Sequence, residues 1–470
     1  MRMRYTLFIF LFCTFQLKAQ QLDFFHFFSI PEFQAYDVKQ TSDGGYLVAG
    51  GIHNINGGDF ILVKTDSLGN ELFTYSNDRF NGMDGSNAIY SLEIAHNNIY
   101  LAGSIQPLFG LPSIIYIVKL DSLFNKVWEI EDSALGSFSV PTKLKLSMDG
   151  NLIITGSASS DTTDKVYASK IDTNGHFIWK NYFRVNRSAT GRDILDVGIN
   201  EFITVGAFLT LNGSLIDTSA SFILSFDTVG NINWYHDYPD TSNIKGISSL
   251  VLDNLSNIYA GEYFANSVKL QNPQPSILKF DTLGTLLWRK QIRIGLSDYV
   301  GVQTDSSGNI FTGYGLMEVK KLNSLGDSLW TYHYGNVDYQ PSSTLLDNQT
   351  RMVLVGNNQS QAGHPYISYL MRISDTTLTG INELPDHKEI IVSPNPSNGI
   401  FTLLPSLLNN SIDYIEVYSV NGEKLYMKKA ENNFIFFVNL SYLKGGIYIL
   451  KIKLNNRTTP LINRIIIIKS

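Results

Sequence analysis

The residues most suggestive of chemistry are acidic side chains that recur at one position of a repeated hairpin. The hairpin reads ILVKTDSLGNELF from residue 61, YIVKLDSLFNKVW from 116 and SILKFDTLGTLLW from 276. Its acidic column contains Asp66, Asp121, Asp172, Asp227 and Asp281, with Asn323 in a sixth copy. Paired carboxylates can act as general acid and base, but an active site needs one such constellation and not six. Because Asp bonds its own backbone in tight turns, we interpret the column as structural.

A second column of the same hairpin is aromatic. It holds all five tryptophans of the chain, Trp128, Trp179, Trp234, Trp288 and Trp330. We expect these rings to pack between neighbouring repeat units, since burial between sheets would require an equivalent side chain in each unit. A ligand-binding role for the tryptophans is the less favoured alternative.

The usual catalytic and metal-binding motifs do not occur. The sequence contains no His-x-x-x-His, no Asp-rich calcium loop and no Gly-x-Ser-x-Gly, and its one cysteine is Cys13. We therefore assign no catalytic residue, no metal ligand and no cofactor, and enzymatic activity is left open with non-enzymatic function favoured.

The hairpins belong to a longer repeat made of short strands. A strand ending in glycine precedes each hairpin, with its last glycine at Gly50, Gly103, Gly156, Gly206, Gly261, Gly313 and Gly356, a period of 43 to 55 residues. Such a period without helical segments predicts a seven-bladed β-propeller with four strands per blade, and in the first unit these are 35–40, 46–50, 60–65 and 71–76. The segment LDFFHFF (22–28) resembles the outer strand LWTYHYG (329–335), so we expect it to complete the last blade.

The first 19 residues have the pattern of a secretory signal peptide. A basic start is followed by an apolar run and by Leu17-Lys18-Ala19, which predicts cleavage between Ala19 and Gln20. The apolar run is shorter than the roughly 20 residues that span a bilayer, so an integral membrane protein is not expected.

Charge divides the rest of the chain. Residues 20–386 carry 23 basic and 37 acidic side chains, whereas residues from 387 onward carry 10 basic and 5 acidic ones. An acidic body repels phosphate backbones, which argues against a nucleic-acid partner. The change of sign near residue 387 predicts a domain boundary there.

The C-terminal segment has strand and Asn-Gly turn patterns typical of a small β-sandwich. Its motifs are Pro394-Asn395-Pro396, Gly399-Ile400-Phe401, Val420-Asn421-Gly422, Gly445-Gly446-Ile447-Tyr448 and the closing run 464–469. Together these resemble the type A C-terminal sorting domain of Bacteroidota type IX secretion cargo. The resemblance implies passage through the type IX machinery and removal of the domain by its sortase. The predicted organisation is a signal peptide (1–19), a propeller (20–380), a linker (381–388) and a sorting domain (389–470).

Loop lengths point to one binding face. The connections between second and third strands (B–C), and from fourth strand to next unit (D–A), are long and variable, as in segments 104–113, 208–220 and 262–276. Variable loops on a rigid scaffold commonly carry binding residues. Phe109, Tyr263, Phe264 and Tyr366 are the candidate exposed aromatics there, although packing within their own loops would explain them equally well.

These observations predict an exported binding protein, secreted or at the cell surface. Its expected ligand is an extracellular glycan or protein engaged by the B–C/D–A face. Two alternatives stay open: an extracellular hydrolase or lyase with its site on the same face, and a structural component of the envelope. A non-repeated acid/base set would favour the enzyme, and no such set is visible in the sequence.

Overall fold

The computed structural model describes residues 18–52, 59–77, 86–106, 112–136, 138–160, 163–185, 188–198, 200–212, 215–240, 244–265, 274–292, 298–315, 318–333, 339–358, 367–377, 390–393, 397, 399–405, 412–429, 436–455 and 460–467. These residues form strands and turns, and the all-β prediction is confirmed. No helix long and apolar enough for a membrane span occurs among them.

The described chain opens with β1 (Lys18–Phe27) and continues as a series of four-stranded antiparallel sheets. Sheet 1 comprises β2 (Phe33–Gln40), β3 (Tyr46–Ile52), β4 (Phe60–Thr65) and β5 (Glu71–Asn77). Sheet 2 comprises β6 (Ser86–Ala95), β7 (Asn98–Gln106), β8 (Ile114–Asp121) and β9 (Lys126–Asp132). Sheet 3 comprises β10 (Phe138–Leu146), β11 (Leu152–Ser160), β12 (Thr163–Ile171) and β13 (Phe177–Phe183).

The same order of strands continues through the middle of the chain. Sheet 4 comprises β14 (Ser188–Gly198), β15 (Glu201–Asn212), β16 (Leu215–Asp227) and β17 (Ile232–Asp240), and one parallel bridge joins Asp164 of sheet 3 to Ser188. Sheet 5 comprises β18 (Ile244–Leu252), β19 (Ile258–Ala265), β20 (Ser276–Phe280) and β21 (Leu286–Gln291). Sheet 6 comprises β22 (Val300–Thr304), β23 (Ile310–Tyr314), β24 (Glu318–Leu322) and β25 (Ser328–His333).

Sheet 7 is built from both ends of the repeat region. It comprises β26 (Tyr339–Leu346), β27 (Met352–Asn358), β28 (Ser368–Thr377) and, as its fourth strand, β1. β1 pairs antiparallel with β28, from Lys18 opposite Thr377 to Phe27 opposite Tyr369. The N-terminal strand thus covers an edge of β28 that would otherwise be unpaired.

The buried core is divided into clusters that lie between consecutive sheets. One cluster joins Leu62 of sheet 1 to Leu101 of sheet 2, and the clusters that follow join each sheet to the next. A further cluster joins Leu370 of sheet 7 to Val48 of sheet 1. The first strands also touch in cyclic order, because β2 contacts both β6 and β26. Each sheet therefore buries its two faces against two neighbours.

The remaining strands form two small sheets at the C-terminal end of the chain. They are β29 (Ile390–Ser393), β30 (Ile400–Pro405), β31 (Ile412–Ser419), β32 (Lys424–Lys429), β33 (Phe436–Asn439), β34 (Gly446–Leu454) and β35 (Leu461–Ile467). One sheet has the order β29-β30-β33 and the other β32-β31-β34-β35. A single cluster containing Phe401, Val438 and Leu450 lies between them.

One expected loop is instead strand. Segment 208–220 lies within β15 and β16, where Phe208 pairs with Ala220 and Asn212 with Leu215. The sequence carries Asn212-Gly213 at the centre of this segment, a dipeptide that suits a tight hairpin turn. The two strands pair from Glu201 opposite Asp227 to Asn212 opposite Leu215.

Candidate functional site

A cavity of about 690 Å³ lies among the first strands of the seven sheets. Every first strand contributes to its wall: β2, β6, β10, β14, β18, β22 and β26. The cavity is where strands from the whole repeat region converge, so it is the candidate site.

The first strands share an irregularity that directs side chains into this cavity. In six of the seven, a β-bulge interrupts pairing with the second strand, at Ala35/Asp37, Ile89/Ser91, Pro141/Lys143, Gly191/Asp193, Ile247/Ser249 and Pro341/Ser343. A bulge places one extra residue on one strand and re-aims its side chain. The extra residues all line the cavity, and we call them the bulge ring: Tyr36, Tyr90, Thr142, Arg192, Ser248 and Ser342.

The hydroxyls of the bulge ring bond to neighbouring strands. Thr142 donates to the Gly191 carbonyl at 2.6 Å, and Ser248 donates to the Val300 carbonyl at 2.9 Å. Ser342 accepts a hydrogen bond from the side-chain amide of Asn357 at 3.0 Å. These three side chains therefore tie sheets and strands together around the cavity.

The two tyrosines and the arginine of the bulge ring differ from the hydroxyl residues. The rings of Tyr36 and Tyr90 lie 5.1 Å apart between centroids at an interplanar angle of 52°, and the Tyr36 hydroxyl donates to Gln34 at 2.6 Å. Arg192 is exposed, and no described residue forms a hydrogen bond or ion pair with its guanidinium. An aromatic pair and an uncommitted cation thus face one cavity.

Beside the bulge ring, one buried carboxylate links four sheets. Asp37 of sheet 1 is 1% exposed, and it accepts hydrogen bonds from Ser91 at 2.7 Å and from Ser343 at 2.6 Å. The Nζ of Lys143 lies 3.0 Å from both carboxylate oxygens, and the backbone N–H of Leu92 donates at 3.0 Å. The partners belong to sheets 2, 3 and 7, so this carboxylate holds the inner strands in place.

The protonation state of this group follows from its partners. Burial acts to raise the pKa of Asp37, but the charge of Lys143, the charge of Lys39 and the hydroxyl hydrogen bonds lower it to about 2. Burial likewise acts to lower the pKa of Lys143, and the Asp37 carboxylate reverses this and raises it. Both groups are charged at neutral pH, so neither is poised to exchange a proton.

The other lysines of the cavity are paired as well. Lys145 contacts Asp193 at 2.7 Å, and Lys39 contacts Glu93 at 2.7 Å. Burial lowers the pKa of Lys145 although Asp193 opposes this effect, and burial raises the pKa of Tyr299. Among the described residues, no group of three or more His, Cys, Asp or Glu is placed to hold a metal ion.

The aromatic residues predicted from loop lengths lie elsewhere than expected. Tyr263 and Phe264 belong to strand β19 and are 6% and 3% exposed, so the expectation that they are exposed in a loop is wrong. The strand continues past Gly261, and this brings Tyr263 to the cavity wall and Phe264 to within 5.9 Å of Lys245 and Arg289. Phe109 and Tyr366 lie outside the described residues.

The acidic column caps turns. Asp66 accepts hydrogen bonds from the backbone N–H groups of Leu68 at 2.8 Å and Asn70 at 2.9 Å. The same two bonds occur at Asp121, Asp172, Asp227 and Asp281, and at Asn323. None of these residues lines the cavity.

The tryptophan column meets the turns of adjacent sheets. Trp128 donates to the Thr173 carbonyl of sheet 3 at 3.1 Å. A Cβ added to Gly284 of sheet 5 would lie 2.4 Å from the ring of Trp234 in sheet 4, and Trp179 of sheet 3 lies 5.1 Å from Phe202 of sheet 4. Trp330 of sheet 6 belongs to the cluster shared with sheet 7, and Trp288 packs against the cluster between sheets 5 and 6.

Sequence reasoning missed the bulge ring, although a signal for it exists. Each member precedes the glycine that ends the next strand by 13 or 14 residues. At that spacing four residue types (Tyr, Thr, Arg and Ser) occupy six positions, unlike the repeated Asp and Trp columns. Variation at a fixed position of the repeat therefore marks the cavity wall.

Comparisons with known proteins identify one part of the chain. Residues 392–469 match the family of secretion system C-terminal sorting domains. A search of curated proteins found no match. Among solved structures, the polysaccharide lyase Uly1 is 11% identical, with a TM-score of 0.45, 73% of this chain and 90% of that chain covered. A protein of unknown function from Dyadobacter fermentans is 10% identical, with a TM-score of 0.44, 76% of this chain and 99% of that chain covered.

Both structural likenesses are distant and add nothing to the assignment of a function. The sorting-domain match is specific to the C-terminal sheets, where β30 to β35 lie. It supports an interaction with the type IX secretion machinery. The chain therefore carries a C-terminal sorting domain at residues 392–469, which supports export as type IX secretion cargo to the cell surface or the medium.

Proposed function

We propose that this chain is an exported seven-bladed β-propeller that binds an extracellular glycan or protein at its central cavity. The observation that carries the proposal is the bulge ring. The same β-bulge recurs in six first strands, and the inserted residue is a tyrosine, threonine, arginine or serine. A binding site on a repeat scaffold requires a backbone feature that recurs, such as this β-bulge, and inserted residues that differ between units.

The propeller ring is supported by the cyclic arrangement of the sheets. Apolar clusters join each sheet to the next and the seventh to the first, and β1 supplies the fourth strand of the seventh sheet. In a ring of this kind the first strands surround the axis, so the cavity would be the mouth of the central channel. The small C-terminal sheets would form a separate β-sandwich at 389–470, after a propeller at 20–380 and a linker at 381–388.

The proposed route of export has two signals. Residues 1–19 would direct the chain to the periplasm, with cleavage between Ala19 and Gln20, and the sorting domain would then engage the type IX machinery. Removal of that domain by a sortase would leave the propeller attached to the surface or released. Bacteroidota is the proposed source group, because this system is the one that the sorting-domain resemblance implies.

Binding is favoured over catalysis by the state of the cavity carboxylates. Asp37, Glu93 and Asp193 are each paired with a lysine, at 3.0, 2.7 and 2.7 Å. The pKa of Asp37 is lowered by Lys143, Lys39 and two hydroxyls, so this carboxylate holds its charge and does not donate a proton at neutral pH. The hydrolase or lyase alternative would need an acid/base set in this cavity, and a structural envelope role would need no ligand there at all.

A glycan array tests the proposal with the full purified chain. We expect selective binding that is lost when both Tyr36 and Tyr90 are replaced by alanine, because stacking against a sugar ring needs the aromatic faces. The matched control is Tyr442→Ala, which removes a tyrosine that is 64% exposed on the sorting domain. Absence of binding to every glycan, or equal binding by the double variant, would contradict a glycan ligand at the cavity. Assays for turnover of any bound glycan separate the binding protein from the enzyme.

A further inference from the structure

We propose that Arg192 is the specificity determinant of the cavity and that it binds an oxyanion, a carboxylate or a sulfate, on an acidic sugar. This inference rests on the proposed function and names the class of ligand. It predicts that the preferred glycan is an acidic one, and that charge at one position of the sugar decides the affinity.

The first argument is the contrast between Arg192 and the other cations of the cavity. Lys39, Lys143 and Lys145 are each held by a carboxylate at 3.0 Å or less. Arg192 lines the same cavity and is exposed, and no described residue supplies it with a hydrogen bond or a carboxylate. A guanidinium has five N–H donors in a fixed fork, which fits a carboxylate or sulfate through two parallel hydrogen bonds.

The second argument is that Arg192 stands on a fixed backbone. On one side, the carbonyl of Gly191 accepts a hydrogen bond from Thr142 at 2.6 Å. On the other, Asp193 contacts Lys145 at 2.7 Å and accepts from the backbone N–H of Leu250 at 2.6 Å. The adjacent carboxylate is thus committed to other partners and leaves Arg192 available. With the backbone already fixed, only the side chain of Arg192 has to be ordered when a ligand binds.

The third argument concerns the rest of the ligand. Tyr36 and Tyr90, whose rings contact each other at 5.1 Å, are members of the same bulge ring as Arg192. Aromatic side chains offer apolar faces to a sugar ring and hydroxyls to its polar groups. A cation and an aromatic pair that line one cavity together fit a sugar that has an apolar face and an anionic substituent.

The overall charge of the cavity sharpens the expected selectivity. Its wall contains five acidic side chains, Asp37, Glu93, Asp193, Asp196 and Asp298, against four basic ones, Lys39, Lys143, Lys145 and Arg192. With a small net negative charge, the wall does not attract polyanions in general. Recognition would then depend on the position of one oxyanion against Arg192.

The test uses pairs of polymers that differ only in the oxyanion. The full chain is titrated by calorimetry, at physiological ionic strength, with polygalacturonate and its methyl ester and with dextran sulfate and dextran. We expect one charged polymer to bind at least about tenfold more tightly than its neutral counterpart. Arg192→Gln should weaken that binding by about 10- to 100-fold, and Arg192→Lys should retain part of it.

The control is Arg184→Gln, because Arg184 is exposed at the end of β13 and does not line the cavity. It removes the same charge, and we expect no change in affinity. Unchanged binding by Arg192→Gln, or failure of both charged polymers to bind, would overturn the inference. Equal binding of a neutral counterpart would overturn it too while leaving the glycan-binding proposal in place, and the array decides that proposal separately.

Discussion

The outer hairpins and the inner strands of the repeat region use repetition in opposite ways. In the hairpins, the same residue types recur and do the same work: Asp66 and its equivalents cap turns, and the tryptophans contact adjacent sheets. In the inner strands the bulge recurs, but the residue that it presents changes from Tyr36 to Thr142 to Arg192. Identical residues at a repeated position thus indicate a part in the fold, and varied residues at such a position indicate a surface free to specialise.

The largest expected effect on stability concerns the inner strands, where Asp37 lines the cavity and also joins four sheets. Asp37→Ala would leave the partly buried Lys143 without its carboxylate and would remove bonds from three other sheets. We expect a loss of about 3 to 5 kcal/mol in the free energy of unfolding, measured by urea denaturation. The control Asp327→Ala breaks an ion pair with Lys290 at 3.7 Å between exposed side chains, and it should cost less than about 1 kcal/mol. Equal losses for the two variants would mean that Asp37 does not join the sheets.

The next largest effect on stability tests whether the hairpin turns contact the tryptophans of the adjacent sheets. Gly284→Ala forces a residue with a side chain into a φ of +77° and places its Cβ 2.4 Å from the Trp234 ring. Gly136→Ala meets the same kind of conformational cost, at a φ of +96°, with no atom within 4 Å. We expect about 1 kcal/mol for Gly136→Ala and about 2 to 3 kcal/mol for Gly284→Ala, because only the second also disturbs a contact between sheets. Thermal or urea unfolding compares them, and equal costs would argue against the role of Trp234 between sheets.

Acid should weaken the Asp37 network in a defined interval. The pKa of Asp37 is lowered to about 2 from an ordinary value of 3.8, so its contribution to stability is present above pH 4 and is lost as the pH falls toward 2. The size of that contribution is about 2 kcal/mol. We expect the difference in unfolding free energy between wild type and Asp37→Asn to narrow by this amount between pH 5 and pH 2. A difference that is independent of pH would show that the carboxylate is not held in its charged form by the fold.

The smallest effect belongs to a single turn. Asp66→Ala removes the acceptor for two backbone N–H groups and should cost about 1 kcal/mol in unfolding free energy. Asp66→Asn should be nearly neutral, because Asn323 accepts the equivalent bonds in the sixth hairpin at 3.0 and 2.9 Å. A large cost for the asparagine variant would point to a role for the charge itself.

The hairpins were accessible from the sequence because their signals are local. Turn residues act within five positions, as between Asp66 and Asn70, and Gly69 adopts the positive φ of +82° that its place in the turn requires. The four strands of sheet 1 lie where the pattern put them, with bounds that differ by a few residues.

The cavity was not accessible in the same way, because its contacts join residues far apart in the chain. Asp37 and Ser343 are 306 positions apart, and nothing in either local sequence relates them. The bulges also could not be predicted from a strict alternation of apolar and polar residues, because each bulge inserts one residue into its strand. Tyr263 and Phe264 were misplaced for a related reason, because the length of β19 is set by its pairing with β18 and not by the glycine at 261.

The central claim is that three of the varied bulge residues, Tyr36, Tyr90 and Arg192, serve binding and not folding. The most direct test measures the affinity of the triple variant Tyr36→Ala, Tyr90→Ala, Arg192→Gln for the tightest glycan from the array. The unfolding free energy of the variant is measured first and compared with that of wild type. We expect the stability to fall by no more than about 1 kcal/mol and the affinity to fall by at least about 100-fold. Wild-type affinity in a folded triple variant would contradict the account and would place the ligand elsewhere on the protein.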